Sequence, residues 1–381
     1  MTITNPLSQV TTYEYDYSSG QPTRTIDPNN RSYYTDYDGL DRVIAERQPD
    51  VSNPTVSLAK ISYEYVDTPN AVRTKKIDHL DANNAVETYT YFDGLGRKIQ
   101  ERQEAETSGL FNVRDFVYSK NDLLLKESLP YISSGSAKTS PSSEIKLYTR
   151  YTYDAMKRVV TATVATDWVT TNTYDDWKTT VTDAKGKVKD LYRDAYDNLV
   201  RVDEHNGSSI YTTNYQWNGL KKLVKITDAL NNERNFTYDG LGRVLSAEDL
   251  HAWYDGSYGV WAYSYDNAGN LVGRTDPKGI NVVYVYDYLN RLISEDANAD
   301  QIFEVTNVYD SCTDGIGRLC TVTTPDINVS YSYNALGQTV AEEKNIDQTS
   351  YVSQYFYDRQ GNRVIAVSYT HLRAHETGRN L

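Results

Sequence analysis

The sequence predicts an all-β protein, built as an antiparallel β-sheet of repeated strand-turn-strand units. Three observations support this prediction. Tyrosine dominates the aromatic residues, with 35 Tyr against 6 Phe and 5 Trp, and Tyr favours half-buried strands because its ring is apolar and its hydroxyl is polar. A Tyr-Asp motif recurs along the chain. Between its copies, aromatic residues stand at alternate positions, as expected for one face of a strand.

The recurring motif reads aromatic-Asp/Asn-x-x-Gly-Arg/Asn. The segments YDGLGR at Tyr238 and FDGLGR at Phe92 are its clearest copies. Further copies or near copies begin at Tyr37, Tyr153, Trp217, Tyr265, Tyr286, Tyr333 and Tyr357, with degenerate ones at Tyr118, Arg193 and Asp314. From Asp194 onward the copies follow one another at intervals of 20 to 27 residues. A steady period of this length indicates a repeat architecture.

A second turn signal lies between many of these copies. It reads Thr/Ile-Asp-Pro/Ala-x-Gly/Asn and begins at Ile26, Thr182, Thr227 and Thr275. Asp, Pro, Gly and Asn in this order favour a turn, because Pro fixes φ, Asp bonds the backbone and Gly or Asn accepts positive φ. Each repeat therefore contains two turns and two strands, and neighbouring strands are expected to pair antiparallel.

The Gly-x-Gly of YDGLGR has two interpretations, a phosphate-binding loop or a turn. A phosphate loop precedes a helix whose N-terminus faces the anion. Here Val244 and Leu245 follow, and these residues favour a strand. In a turn, Asp239 can bond nearby backbone N–H groups, while Gly240 and Gly242 can adopt positive φ at little cost. We interpret the motif as a turn.

These linked motifs resemble the RHS repeats, also called YD repeats, over nearly the whole chain from about Tyr13 to Ala366. The resemblance implies a long, curling antiparallel sheet that winds into a hollow shell. In bacterial toxins of this family the shell encloses a toxic C-terminal segment, and the repeats have also been linked to carbohydrate binding at cell surfaces. The family includes a self-cleaving segment with catalytic aspartates, C-terminal to the repeats. No such block occurs before residue 366, so we assign no catalytic residue.

Four regions are predicted along the chain. Residues 1–127 form an irregular YD-repeat sheet, residues 128–146 a Ser/Pro-rich loop insertion, and residues 147–366 the regular YD-repeat sheet. Residues 367–381 are expected to be disordered, because 367–377 match the translation of a common transposase-derived sequencing adapter. The pair His371 and His375 has the spacing of two metal ligands on a helix but is given no weight for this reason. We expect the chain to be part of a larger protein, since it is too short to close a shell.

The composition argues against several functional classes. The net charge is −13 and the pI about 4.9, without a basic cluster, so nucleic acid is not an expected partner. No apolar stretch is long enough for a membrane span, no Cys/His cluster indicates zinc, and no cofactor is predicted. A glycosidase needs two carboxylates at a defined separation. The 52 acidic residues make chance pairs frequent, and most Asp lie in the turn motifs.

The segment WYDGSYGVWAY is the densest aromatic stretch of the chain. Its residues Trp253, Tyr254, Tyr258 and Trp261 are a candidate ligand-contact patch, because aromatic rings can stack on sugar rings. Cross-strand aromatic pairing within a hairpin is the alternative, and we prefer it because such pairs are common in sheets.

The two cysteines, Cys312 and Cys320, lie symmetrically about Ile316 in the turn DGIGR. If that turn closes a hairpin, the cysteines face each other across it. Non-hydrogen-bonded antiparallel pairs place Cα atoms about 4.5 Å apart, within the range of a disulfide. We predict that the two residues are close and that they form a disulfide.

The predicted function is structural. We expect a shell segment that walls off a C-terminal toxin or effector within a secreted or surface-displayed bacterial protein. The alternative is a carbohydrate-binding adhesion module at the cell surface that recognises glycans, and a glycosidase is the third hypothesis. The first ten residues lack the basic start and apolar core of a signal peptide, so secretion is expected as part of the larger protein.

Overall fold

The structure is a computed structural model that describes residues 1–49, 57–68, 71–79, 85–139, 147–252, 254–359 and 361–370. Every regular element in these residues is a β-strand, and the 33 strands belong to one antiparallel sheet. The all-β prediction is therefore confirmed. Among the described residues there is no helix with the length and apolar character needed to cross a membrane.

The strands of the first half are β1 (Thr2–Thr4), β2 (Val10–Tyr15), β3 (Pro22–Ile26), β4 (Ser32–Tyr37), β5 (Val43–Pro49), β6 (Ser57–Thr68), β7 (Ala71–His79), β8 (Ala85–Phe92), β9 (Lys98–Glu104), β10 (Leu110–Tyr118), β11 (Leu124–Ser128), β12 (Tyr131–Ser134), β13 (Tyr148–Tyr153), β14 (Val159–Thr163), β15 (Val169–Asp175), β16 (Lys178–Thr182) and β17 (Val188–Arg193). Those of the second half are β18 (Leu199–Asn206), β19 (Ser209–Trp217), β20 (Leu223–Thr227), β21 (Asn232–Tyr238), β22 (Val244–Glu248), β23 (His251–Ala252), β24 (Val260–Tyr265), β25 (Leu271–Thr275), β26 (Asn281–Tyr286), β27 (Leu292–Asp296), β28 (Val305–Tyr309), β29 (Leu319–Thr323), β30 (Ile327–Tyr333), β31 (Thr339–Ile346), β32 (Thr349–Tyr357) and β33 (Arg363–Thr370).

The sheet is a meander, in which consecutive strands pair antiparallel. At two places one long strand pairs with two short ones. Strand β10 pairs with both β11 and β12, and β21 pairs with both β22 and β23. The meander then resumes with β13 on β11 and β24 on β22. Since no pairing among the described strands joins the first strand to the last, the sheet is open.

The turns lie on two opposite edges of the sheet, which we call the YD rim and the second rim. The YD rim contains the turns that start at the Asp of Tyr-Asp or at its equivalent: Asp16, Asp38, Asp93, Ser119, Asp154, Asp194, Asn218, Asp239, Asp266, Asp287, Asp310, Asn334 and Asp358. The second rim contains the turns between them, among them 5–9, 27–31, 105–110, 164–168, 183–187, 228–232 and 276–280. Successive turns alternate between the rims because successive strands reverse direction.

The tyrosine at the end of many strands on the YD rim accounts for the excess of Tyr over Phe. The register shifts between Thr237 and Tyr238, and the Tyr238 hydroxyl donates to the carbonyl of Leu223 over 2.6 Å. Phe has no hydroxyl and cannot make this bond. Equivalent bonds to main-chain carbonyls are made by Tyr37, Tyr65, Tyr153, Tyr174, Tyr265, Tyr286, Tyr309, Tyr333 and Tyr357.

The deepest packing lies in the first half of the chain. Tyr89, Tyr91, Phe111 and Val113 form a cluster of buried side chains, with Ile99 and Tyr131 packed against it. Tyr89 and Phe111 meet edge to face, with ring centroids 5.8 Å apart. This geometry is one that aromatic pairs prefer.

Arg102 is fully buried beside this cluster. Its guanidinium donates to the carbonyls of Ser134 and Gly135 and to the hydroxyl of Thr139, over 2.7 to 3.1 Å. Burial lowers the pKa of the Arg102 guanidinium from its ordinary value. A buried guanidinium is tolerated when its N–H groups have partners, and here the segment after β12 provides several of them.

Two predicted boundaries differ from the observed strands. Strand β12 lies within the segment 128–146 that we predicted as a loop, because it pairs with the first half of β10. Strand β33 continues four residues past the predicted end of the repeat at Ala366, since the backbone of 367–370 pairs with residues 351–354 of β32. A ladder needs only backbone groups, so the side chains gave no signal of it. His371 and His375 lie outside the described residues.

Candidate functional site

The YD turn is built around its aspartate. The Asp239 carboxylate accepts the backbone N–H groups of Leu241 and Arg243, each over 2.9 Å, and the Arg243 Nε over 2.6 Å. The pKa of Asp239 is lowered, mainly because the Arg243 backbone N–H donates to the charged carboxylate. The turn reading of YDGLGR agrees with this geometry, in which the carboxylate is occupied by its own turn.

Only the second glycine of the motif needs its conformational freedom. Gly242 has φ 80°, whereas Gly240 is not among the residues with positive φ. Gly242 is the fourth residue of a β-turn, in which its N–H donates to the Asp239 carbonyl over 3.0 Å. A turn closed by a left-handed residue is a common hairpin connection. Gly240 could adopt positive φ but does not do so in this turn.

The arginine that ends the motif reaches the next YD turn. The Arg243 guanidinium lies over the ring of Tyr265, 4.7 Å from its centroid, and donates to the Asp266 carbonyl over 3.0 Å. The same stacking joins Arg42 to Tyr65, Arg97 to Tyr118, Arg158 to Tyr174 and Arg291 to Tyr309. Sequence reasoning missed this contact, although the regular recurrence of Arg and Tyr in the motif was the available signal.

The main long-range feature is a contact between the two rims, which we call the seam. It joins Gln9, Arg31, Lys60, Glu104 and Glu106 on or near the second rim to Asp287, Asp310, Asp314 and Arg359 on the YD rim. The hydrogen-bonded partners are 253 to 278 residues apart. The sheet therefore curls so far that its late YD turns contact its early second-rim turns.

Asp310 is the most buried charge of the seam, with a side chain 7% exposed. It accepts Arg291 through both oxygens, over 2.9 and 2.7 Å, and the Gly317 N–H over 2.7 Å. From the opposite rim, Arg31 forms an ion pair with it over 2.5 Å. Burial raises the pKa of Asp310, but the bonds from Arg291, Arg31 and Gly317 outweigh that effect, and the pKa is lowered.

The seam continues on both sides of Asp310. The Lys60 ammonium lies 3.2 Å from the Asp314 carboxylate. Farther along, Arg359 pairs with Glu104 over 2.7 Å, and its backbone N–H donates to Glu106. Polar and ionic contacts of this kind fix the register of two surfaces more than they add net stability.

The two cysteines lie in the seam turn. Cys312 and Cys320 are joined by a disulfide, with Cα atoms 5.4 Å apart. The turn is longer than other YD turns, since the Asp310 N–H donates to the Arg318 carbonyl. The acidic residue that starts this turn is therefore Asp310, where the motif alignment had used Asp314. Both aspartates carry seam contacts. Asp314 lies within the loop that the disulfide closes, and Asp310 lies two residues before it.

Two residues of the candidate ligand-contact patch, Tyr258 and Trp261, make contacts with neighbouring side chains. The Tyr258 ring stacks on His251, with centroids 3.7 Å apart. The Trp261 Nε1 donates to the Asp249 carboxylate over 3.0 Å. The Arg274 guanidinium lies over the Trp261 ring, 5.4 Å from its centroid. One face of each ring is therefore already in contact within the protein.

The other two residues of the patch are Tyr254 and Trp253. Tyr254 is 76% exposed, and Trp253 lies outside the described residues. Ligand binding by the patch stays a prediction.

One group of carboxylates comes close together in a second-rim turn. Oxygens of Asp296, Asp300 and Glu304 lie within 4.8 Å of one another. Asp296 accepts the backbone N–H groups of Asp300 and Gln301 over 3.1 and 2.7 Å, and backbone bonds outweigh burial to lower its pKa. These bonds explain Asp296 as a turn-forming residue, and we assign no metal to the group.

The comparisons with known proteins bear on the repeat directly. The sequence profile of the RHS Repeat family matches residues 265–301, which contain the YD turns at Asp266 and Asp287. The match confirms the resemblance to RHS repeats. Residues 65–174 match a family described as a domain of unknown function, DUF6443. No curated protein matches the chain.

Solved structures with a similar trace come from toxin complexes. The crystal structure of TcdB2-TccC3 is 11% identical, covers 97% of this RHS-repeat chain and 28% of its own, and has a TM-score of 0.45. The Tc holotoxin pore of Photorhabdus luminescens is 11% identical, covers 95% and 29%, and has the same TM-score. This chain thus spans less than a third of the length of either. At this identity and TM-score the likeness carries no argument about function.

Proposed function

We propose that this RHS-repeat chain is a wall segment of a shell that encloses a C-terminal toxin or effector in a secreted or surface-displayed bacterial protein. The observation that supports the proposal is the seam. A strip of sheet can form a wall only if successive coils hold on to each other, and the contacts of Arg31, Lys60 and Arg359 across the rims do this. The role is structural, since the named side chains bind other parts of the same sheet.

The carboxylates favour this role over hydrolysis of glycosidic bonds. A glycosidase needs one carboxyl group with a raised pKa, so that it can donate a proton near neutral pH. Burial raises the pKa of Asp190, Asp203 and Glu342, but hydrogen bonds and ion pairs with neighbouring side chains outweigh that effect and lower it. These groups are acceptors of hydrogen bonds and salt bridges, which suits a wall better than an acid-base pair.

The test needs the complete gene product. Long-read sequencing of the locus across the codon for Ala366 would define the full protein, which is then expressed and treated with protease. We expect a C-terminal segment that survives in the intact protein and is digested when the same segment is expressed alone. Equal digestion rates in the two preparations, or a locus without any further segment, would refute the proposal.

The adhesion alternative predicts a different result. A glycan array probed with this chain would show binding that is lost in Tyr254→Ala and Tyr258→Ala variants, whereas a wall segment gives no binding above background. The His251 ring covers one face of the Tyr258 ring, which leaves less of it for a sugar, so we rank this alternative second.

A further inference from the structure

The disulfide of the seam turn is accessible from one side. Cys312 is half-buried, whereas Cys320 is 1% exposed. A thiolate that attacks the bond therefore reaches the Cys312 sulfur, and Cys320 becomes the leaving group. The chain contains no third cysteine, so the bond cannot rearrange within the chain and is either closed or reduced.

The turn provides polar partners for the Cys320 sulfur during reduction. The Cys312 backbone N–H donates to Cys320 Sγ over 3.0 Å, and a hydrogen bond to a thiolate favours the charged form. Once the thiolate has taken up a proton, the thiol has an acceptor nearby, because the Arg318 carbonyl lies 3.7 Å from the same sulfur. The buried sulfur thus has a partner both as a thiolate and as a thiol.

The loop closed by the disulfide has no room for two separate thiols in its present conformation. Gly315 packs directly on the sulfurs, since a Cβ at this residue would lie 2.5 Å from Cys312 Sγ and 2.7 Å from Cys320 Sγ. A covalent bond holds two sulfurs closer together than two thiols can stand. Reduction therefore separates the sulfurs and displaces the backbone of the loop.

This loop carries two of the contacts that hold the seam. Asp314 lies within it and pairs with Lys60 over 3.2 Å. Gly317 also lies within it and donates its N–H to the Asp310 carboxylate over 2.7 Å. The same carboxylate pairs with Arg31 of the opposite rim. A displacement of the loop therefore affects both cations on the other side of the seam.

We propose that the Cys312–Cys320 disulfide is a redox switch of the seam, opened by a dithiol reductant. One thiolate of the reductant attacks the Cys312 sulfur and forms a mixed disulfide, and Cys320 leaves as a thiolate that takes up a proton. The second thiolate of the reductant then attacks the reductant sulfur of the mixed disulfide. Cys312 leaves and is protonated, and the reductant becomes a disulfide.

Two electrons and two protons thus pass from the dithiol to the two cysteines. The closed disulfide holds the seam in an oxidising medium, and its reduction loosens the contact between the two rims. The inference concerns the seam itself and does not require an enclosed cargo.

Hydrogen exchange of the native chain, with and without prior reduction by dithiothreitol, tests the coupling across the seam. We expect the amides of residues 27–31 to exchange about tenfold faster after reduction, which is the effect of losing one hydrogen bond to a charged group. These amides lie on the opposite rim, far from the cysteines in the sequence. The turn 239–243 should exchange at an unchanged rate.

The variant with Cys312→Ser and Cys320→Ser is the control for the reagent. It should exchange like the reduced wild type and should not respond to dithiothreitol. The proposal is overturned if dithiothreitol does not reduce the bond in the native chain, or if faster exchange is confined to residues 312–320. Faster exchange throughout the sheet, with 239–243 included, would overturn it as well, because the disulfide would then stabilise the whole fold.

The reduction equilibrium provides a second, independent readout, because the coupling of two sites is reciprocal. If the disulfide holds the seam, a weaker seam must favour reduction. In mixtures of reduced and oxidised dithiothreitol, Arg31→Gln with Lys60→Gln should shift the equilibrium constant at least about fivefold towards the thiols. Alkylation of the thiols followed by mass spectrometry measures this shift.

A matched control removes one arginine and one lysine whose ion pairs lie outside the seam. Arg158 pairs with Asp154 of its own turn, and Lys225 pairs with Glu233 of the next strand. The variant with Arg158→Gln and Lys225→Gln should have the equilibrium constant of the wild type. Equal constants in the seam variant and this control would overturn the proposal.

Discussion

Replacing Asp310 with asparagine tests whether the seam holds the coil together. The substitution leaves Arg31 and Arg291 facing each other without their shared carboxylate. Removing one partner of a buried ion pair costs about 3–5 kcal/mol. The arginine side chains keep 24% and 17% exposure, so water compensates in part, and we expect a local loss of about 2–3 kcal/mol.

Hydrogen exchange is the suitable assay, because long repeat arrays need not unfold in one step. A loss of about 2–3 kcal/mol corresponds to exchange about 30- to 150-fold faster. The faster amides should lie on both sides of the seam: in the turn from Asp310 to Arg318 and in the turn from Asp27 to Arg31.

Asp239→Asn is the matched control, since Asp239 also starts a YD turn and, among the described residues, bonds only within that turn. It should speed exchange in its own turn only. If Asp310→Asn leaves the amides of 27–31 unchanged, the ion pair to Arg31 does not hold the seam, and the reasoning is refuted.

The lowered pKa of Asp310 gives the pH dependence of the same contact. A carboxyl group whose folded pKa is lowered adds stability above its unfolded pKa, and this contribution is lost as the pH falls through the folded pKa. The exchange difference between wild type and Asp310→Asn should therefore be constant near neutral pH and shrink below about pH 4. A difference that is already lost at neutral pH would contradict the assignment.

Three further predictions concern single elements. Gly242→Ala should destabilise its hairpin by about 1–2 kcal/mol, because φ is positive at this residue, whereas Gly240→Ala should leave stability unchanged. Thermal unfolding of the two variants checks this prediction, and equal effects of the two substitutions would contradict it. Thiol titration of protein folded under oxidising conditions should find no free thiol at Cys312 or Cys320, and two free thiols would reject the disulfide. Because the disulfide closes a short loop, the double substitution Cys312→Ser and Cys320→Ser should lower the free energy of unfolding by about 2–3 kcal/mol. Phe111→Ala should cost about 3–5 kcal/mol by opening a cavity in the buried cluster, seen as faster exchange in β8 to β10, and unchanged exchange there would show that the cluster does not stabilise these strands.

Local turns were the part of the fold most readily predicted from sequence. The Asp239 carboxylate accepts hydrogen bonds from N–H groups two and four residues ahead. The residues that make the turn are therefore close together in the sequence. The resemblance to RHS repeats and the antiparallel sheet, both confirmed, followed from the recurrence of these turns. The contacts of Arg243 with Tyr265 were missed because they join two copies of the motif and no single copy shows them.

The sequence by itself determined the strand-turn-strand unit, its period and the resemblance to RHS repeats, because the residues that show them lie within one or two repeats. Only the tertiary structure decided the seam. Asp310 and Arg359 look like ordinary turn residues in the sequence, and their partners lie more than 250 residues away. That distance is set by curvature that accumulates over many strands, and a small twist at each strand pair fixes which turns finally meet.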